Sequence, residues 1–502
     1  MLCSIPLSSG TLASLVQVKV RLHGHQRASA PRESYARPMS TDMVRSLLAE
    51  CGLPTAAADA TRIIGDEEPY ATTFPVVECA SAALGAVGAT AALLWEERTG
   101  QAQDVSVRRG HAAASLLGFI FQQVGEPTSA AGASLPSDVE RPLVKLYPCR
   151  DGRWVHLHGA LTHLAERTVK VLGCEVNADT ETVAERVLLW DAQALEDALA
   201  DAGACGAMVR SKEEWSAHPQ AQAIAPLGRV SIERIGDSAP EPPGRGSDRP
   251  LSGLRVLDLS RILAAPTNGR TLAEHGADVL LVNGPHLENI PPFVMDTSHG
   301  KRSCQLDLDQ DAGVEQLRSL AATADVFSQG YRGGSLARRG FGPEELAALR
   351  PGLVYVTINC YGDAGPWQQR PGWEQLAQTV SGMASAQGAP DAPQLVGAAA
   401  CDYTTGYLAA LGTMAALWRR SHEGGSYHVR ASLCQTADWF TAADSVSGEV
   451  NGLGDLTSYM TKSETPYGVL THLAPVVQLA ATPARWALPT APIGSHKPEW
   501  AS

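Results

Sequence analysis

Positive charge is in short supply along this chain: Lys and Arg number 40 against 53 Asp and Glu, and the formal net charge is -13. A general nucleic-acid binder must neutralise phosphates with a basic face, so nucleic acid is not an expected partner. A polyphosphate ligand needs only a few well-placed cations and stays open. Cysteine spacing suited to metal is missing too. The ten cysteines fall at 3, 51, 79, 149, 174, 205, 304, 360, 401 and 434 with no CxxC pair. That fits neither a zinc site nor a small disulfide scaffold, and predicts reduced, packed thiols in a cytoplasmic protein. His111, His299 and His428 are isolated and offer no metal spacing. No run in the first residues approaches the ~20 apolar residues a bilayer requires, and PVVECASAALGAVGATAALLW at 75–95 is too interrupted by glycine and too poor in strongly apolar side chains for a span, so no membrane partner is expected. The opening MLCSIPLSSGTLASLVQVKVRLHG lacks a charged segment ahead of a long apolar core, and 1–40 reads as a leader or disordered tail.

Cofactor fingerprints are absent as well. The first strand–turn–helix of the long alternating region, VLDLSRILAAPTNG, has no GxGxxG, and the chain has no P-loop, HExxH or GxSxG. No nicotinamide, flavin or metal is therefore expected.

What the chain does have is length and alternation. Its 502 residues exceed one core, and 44 % hydrophobic side chains is an ordinary globular share. Residues 41–141 read as helical, with helices over Met43–Cys51 and Pro75–Trp95 and a short strand in QDVSVRR. Residues 142–235 read as a small α/β domain opening on a hairpin about Asp151-Gly152. The stretch 236–250, rich in Pro and Gly, reads as a linker. From 251 to 450 strands and helices alternate: strands at Arg255–Leu259, Asp278–Val282, Gln305–Asp307, Asp325–Ser328, Leu353–Asn359 and Tyr427–Ala431, with helices at Ala264–His275, Gly313–Ala322, Pro343–Arg350, Trp373–Met383 and Tyr407–Trp418. This spacing predicts parallel βαβ units, a Rossmann-like major domain. Residues 451–502 read as a C-terminal extension. AALLWEERTGQAQDVSVRRGHAAASLLG from Ala91 loosely echoes AALWRRSHEGGSYHVRASLCQTADWFTA from Ala415.

Two acidic residues stand among small ones. Glu374 opens the predicted helix in PGWEQLAQTVSGM, and Asp402 lies in VGAAACDYTTGY just ahead of another. A carboxylate near a helix N-terminus is expected to stay ionised and could attack a thioester carbonyl; the competing role is a plain N-cap. Lys301, Arg302, Arg332, Arg338 and Arg339 fall in loops of the alternating region, where cations and glycine-exposed amides together can hold phosphates, although each alone reads as a solvated surface charge.

These blocks carry a resemblance. LSGLRVLDLSRILAAPTNGRTLAEHGADVLLVN at 251–283, GKRSCQLDLD at 300–309, ADVFSQGYRGGSLARRGFG at 324–342, LVYVTINCYGDAGPW at 353–367, GWEQLAQTVSGMAS at 372–385 and the AAACDYTTGYLAALGTMAAL block resemble, in order and spacing, the family III coenzyme A transferases. That CaiB/BaiF family includes formyl-CoA transferase, carnitine CoA-transferase and the α-methylacyl-CoA racemases. The resemblance implies coenzyme A as substrate or product, a small carboxylic acid as second substrate, and an aspartyl acyl anhydride on Asp402. It puts a supporting role on Glu374 and nucleotide contacts on Arg338, with Lys301, Arg302 and Arg332 nearby. It leaves a homodimer open. Leu263 stands where some transferases have glutamine, and Asn283 where an acidic residue usually ends the second strand. The small domain, 142–235, comes before the catalytic region instead of after it, which implies a permuted chain or a fusion of truncated copies with one composite site. An acyl-CoA racemase or isomerase, and a non-catalytic CoA-binding or interaction protein, are the alternative readings.

Overall fold

The computed structural model describes residues 38–125, 140–242, 244, 248–389 and 391–501. Most of the expected leader and part of the 236–250 linker lie outside them.

Six strands of the alternating region pair side by side and parallel: Arg255–Leu259, Asp278–Asn283, Lys301–Gln305, Val326–Gln329, Val354–Asn359 and Ser426–Ser432. In space they run third, second, first, fourth, fifth, sixth, the order of a doubly wound, Rossmann-like sheet. Helices cover the sheet, which is why VYVTIN at 354–359 is a nearly unbroken β-branched and aromatic run with five of its six residues buried. A seventh strand, Ser231–Gly236, joins antiparallel to the last. The sequence assigns that segment to the end of the small domain at 142–235, whereas in the structure it completes the edge of the large sheet. The strand is short and polar, SIERIG, and is recognisable only through its partner.

The third strand also differs from expectation. It spans Lys301–Gln305, not Gln305–Asp307, with Lys301 opposite Val279. KRSCQ has no strand propensity to reveal it. Its polar groups are satisfied in three dimensions: Lys301 by Asp258, Arg302 by Asp278, and Ser303 by the C-terminal tail through His496 and Gly494. The C-terminal residues thus cover a sheet edge that would otherwise be open. Within the same region, Met460–Thr465 and Gly468–Leu473 form a hairpin that pairs with Gln123–Val124.

The small domain is as expected in outline. Val144–Pro148, Trp154–His158 and Gly206–Met208 make an antiparallel sheet, with Gly152 at φ +75° in the first turn. The helices Thr162–Leu172, Thr180–Val187 and Ala192–Asp201 close a core of its own around Leu157, Val169 and Leu195.

Two helices of 24 residues each, Val76–Thr99 and Ala400–Glu423, pack together at the centre of the chain. Each is followed by a strand and a further helix, Val105–Arg108 with Arg109–Ser115 and Ser426–Ser432 with Leu433–Ala442, so the sequence echo is a structural one. Val76–Thr99 is long and apolar enough to cross a membrane by length and composition, and 89 % of its most apolar window is buried in this fold. Ala400–Glu423 begins seven residues earlier than its periodicity predicts. At Gly406 a Cβ would stand 2.6 Å from the carbonyl oxygen of Ala264; only glycine lets this helix lie so close to the turn after the first strand.

Candidate active site

In a doubly wound sheet the loops after the first and fourth strands diverge, leaving a crevice at the carboxyl ends of the strands. Here that crevice is a cleft of about 200 Å³. The turn Arg261–Ala265 and the loop Gly330–Arg332 form one side, Arg370–Trp373 another, and Leu161, His163 and Leu164 of the small domain the roof. Several contacts seat the small domain there. His158 stacks on Trp373 at 4.5 Å, the Thr162 amide donates to the Glu288 carboxylate at 2.8 Å, and the Arg210 amide donates to the Thr379 carbonyl at 3.2 Å. Burial pushes His158 down to about 4, so it packs as a neutral ring.

The turn after the first strand is strained. Ile262 adopts φ +74°, the only described non-glycine residue with positive φ. A β-branched side chain disfavours that region, and such strain tends to collect where function requires a particular backbone path. It directs Ile262 and Leu263 toward the cleft, beside Trp373 and Asp402.

Asp402 lines this cleft and is 6 % exposed. It lies within the helix, as the third residue of Ala400–Glu423, and not ahead of it; the N-cap is Ala399, and no side chain caps that position. The helix amides are instead taken by Glu374. Its carboxylate accepts from the Cys401 amide at 3.2 Å and the Asp402 amide at 2.6 Å, and from the Gln378 side chain at 2.7 Å. Gln378 in turn accepts from the Val396 amide at 2.8 Å, which ties down the approach to the helix. Glu374 heads Glu374–Val380, a shorter helix than predicted: the chain breaks at Gly382, φ +92°, where a Cβ would meet the Lys212 backbone at 2.6 Å.

This arrangement reverses the electrostatics expected from the sequence. The amides that were to hold Asp402 ionised serve Glu374. No described group donates a hydrogen bond to the Asp402 carboxylate, and burial, then the neighbouring Glu374, push it well above the ordinary carboxylate range. Burial raises Glu374 as well, but its three donors work against that rise. Of the two, Glu374 is the better placed to hold a negative charge, because its donors oppose the rise that burial imposes on both carboxyls.

The predicted cations separate. Arg332 lines the cleft and is exposed. Arg338 is exposed in the single turn Ala337–Arg339, outside the cleft lining. Lys301 does not reach it: its ammonium is fully buried, 2.6 Å from Asp258 and 2.7 Å from the Pro266 carbonyl. Arg302 is spent on a two-pronged pair with Asp278 at 2.6 and 2.8 Å. Both belong to the strand Lys301–Gln305, which starts four residues ahead of the expected Gln305, and both are paired with acids of other strands in the sheet, Asp258 and Asp278. Arg261 and Arg370, which the sequence reading passed over, do line the cleft. Arg261 directly follows the first strand, a position that the switch-point rule could have flagged; Arg370 lies over Trp367 at 4.3 Å and had no local signal.

In the echo, Glu78 is the third residue of Val76–Thr99, the position Asp402 holds in its own helix. It is 1 % exposed and bonded to Arg109 and Ser40, and Arg109 also pairs with Glu68. The corresponding carboxylate of the N-terminal half is therefore closed in an ion pair.

Comparison with known proteins gives this architecture its class. The profile described as CoA-transferase family III matches residues 13–232 and 251–467, and the chain belongs to that family. It is 32 % identical over 331 residues to an acetyl-coenzyme A transferase from Hypoxylon pulicicidum, covering 60 % of this chain and 55 % of that protein. It is 35 % identical over 303 residues to an acyl-CoA transferase from Gibberella moniliformis (56 % and 53 %), and 33 % identical over 222 residues to a succinate–glutarate CoA-transferase from Agrobacterium fabrum (40 % and 56 %). The chain spans about half the length of these curated relatives. Among solved structures, a CaiB/BaiF family protein from Brucella suis aligns at 29 % identity and a TM-score of 0.37, over 44 % of this chain and 65 % of that one.

Proposed function

We propose that this chain transfers coenzyme A between an acyl-CoA thioester and a carboxylic acid, with Asp402 as the nucleophile. The observation that carries the reading is the placement of Asp402: a buried carboxyl on the wall of a crevice that also holds Arg261, Arg332 and Arg370. Those cations suit the phosphates of coenzyme A, and the cleft between the sheet and the small domain suits its pantetheine arm. The family membership and the transferase names of the relatives agree with this chemistry.

A deprotonated Asp402 oxygen bonds to the thioester carbonyl carbon, the C–S bond breaks and the thiolate leaves, giving an aspartyl acyl anhydride. The thiolate adds to the aspartyl carbonyl, releasing the donor acid and leaving coenzyme A on Asp402 as a thioester. An incoming carboxylate displaces the thiolate to form a second anhydride, and the thiolate attacks its acyl carbon to yield the new acyl-CoA and free Asp402. Anhydride and thioester are both activated, so no ATP is consumed. Glu374 acts as a positioning residue, holding the amides of 401 and 402 and thereby the first helical turn. The small domain covers one side of the cleft at Leu161, His163 and Leu164, and the acyl-CoA itself must fill the remainder to keep water from hydrolysing the anhydride.

Exchange of labelled coenzyme A between acyl-CoA and acid tests the reading. Asp402→Asn is expected to lose at least ~1000-fold in rate while keeping its fold, since an amide is a far weaker nucleophile, and hydroxylamine should trap an acyl-aspartate only in the unmodified protein. Normal turnover by Asp402→Asn eliminates the nucleophile; loss of an α-deuteron to solvent without trapping indicates an isomerase.

A further inference from the structure

Asp402 faces two spaces. The outer is the cleft with its cations; the inner is a recess that shares Ile262, Leu263, Trp373 and Asp402 with the cleft and is closed by Phe119, Phe293 and Ala399. We infer that this recess is the acyl pocket, and that it restricts the enzyme to short uncharged acyl groups, acetyl above all, excluding diacids. The inference rests on Asp402 being the acyl acceptor.

Volume comes first. The free space in the recess is about 10 Å³, roughly what one water-sized group occupies. The methyl of an acetyl group is the acyl substituent nearest to that size, and further methylenes must displace an aromatic ring. Phe119 and Phe293 meet edge-to-face at 4.8 Å, and the Phe119 amide donates to the Tyr403 hydroxyl at 3.2 Å. Tyr403 donates in turn to Asp296 at 2.8 Å, which pairs with Arg270 at 2.7 Å. The ring of Phe119 is thus fixed by the residue that follows the nucleophile, and it comes from the N-terminal half of the chain. That half supplies no free carboxylate of its own at Glu78 and contributes a wall to the site at Asp402.

Charge gives the second restriction. No Lys or Arg lines the recess. Glu374, its one other acidic neighbour, repels a second carboxylate, and the Gln375 side chain is engaged with His158. A succinyl, glutaryl or oxalyl group entering here would bury its far carboxylate unpaired, at large cost. The three arginines lie on the other side of Asp402, where the phosphates of coenzyme A need them.

The experiment is a panel of labelled-CoA exchange rates with acetyl-, propionyl-, butyryl-, succinyl- and glutaryl-CoA, on the full chain and on Phe119→Ala and Phe293→Leu. For the unmodified protein, kcat/KM should be about 100-fold or more higher with acetyl- than with succinyl-CoA. Either variant should raise the butyryl-to-acetyl ratio by about 10-fold or more; using two separate positions keeps the test alive if one does not fold. Comparable rates for succinyl- and acetyl-CoA, or an unchanged butyryl-to-acetyl ratio in a folded variant, overturn the inference and leave CoA transfer standing. Absence of exchange with every thioester overturns the transfer reading beneath it.

Discussion

Replacing Lys301 by Met tests where its charge is used. The ammonium lies 2.6 Å from Asp258 with both side chains at 0 % exposure, and burial lowers the lysine's pKa while Asp258 opposes that shift. In Lys301→Met the Asp258 carboxylate keeps only the Ser260 hydroxyl as a partner. Stranding one member of a buried pair typically costs about 3–5 kcal/mol. At about 2.1 cal/mol/K per residue, a cooperative unit of about 190 residues, the parallel-sheet region, has an unfolding entropy of about 0.4 kcal/mol/K, so its melting midpoint should fall by about 8–12 °C. If the whole chain melts as one unit, the same cost gives a drop of about 3–5 °C. Scanning calorimetry measures the shift. Adding Asp258→Leu should recover most of it, because an apolar pair of similar volume is often neutral or better. Well below the melting point, coenzyme A affinity measured by titration calorimetry should be within about 2-fold of the unmodified protein, a margin of about 0.4 kcal/mol. An unchanged midpoint together with a 10-fold or greater loss of coenzyme A affinity would refute the reasoning, since the lysine would then be serving the ligand and not Asp258.

Arg332→Ala and Arg370→Ala should each raise KM for acyl-CoA about 5- to 10-fold with kcat little changed, and more so at low salt, as expected for loss of a phosphate contact; a fall in kcat at constant KM contradicts this. The acid limb of the rate profile should lie above the ordinary aspartate range, because the ionised carboxylate attacks and burial with Glu374 holds Asp402 protonated to higher pH. Glu374→Gln removes the neighbouring negative charge, so the limb should move to lower pH; movement upward or none at all contradicts the assigned cause.

Much of the fold was legible because local pattern and tertiary role agree. VYVTIN is apolar and β-branched since it is buried on both faces, and the Asp151-Gly152 turn declares its hairpin. Lys301–Gln305 and Ser231–Gly236 were misread because their stability lies in partners far along the chain, with Asp258, Asp278 and His496 for one and Ser426–Ser432 for the other. Asp402 and Glu374 could be picked out as acids among small residues, but which of them receives the amides could not.

The sequence alone determined the alternation of strands and helices, the family and the acidic pair, because periodicity, turn chemistry and motif order are written along the chain. Only the tertiary structure decided that Glu374 takes the helix amides, that Lys301 is spent on Asp258, and that Arg261 and Arg370 join Arg332 in one crevice. Hydrogen-bond partners, burial and charge pairing depend on distances between residues remote in the chain, and those distances exist only once the two halves have packed together.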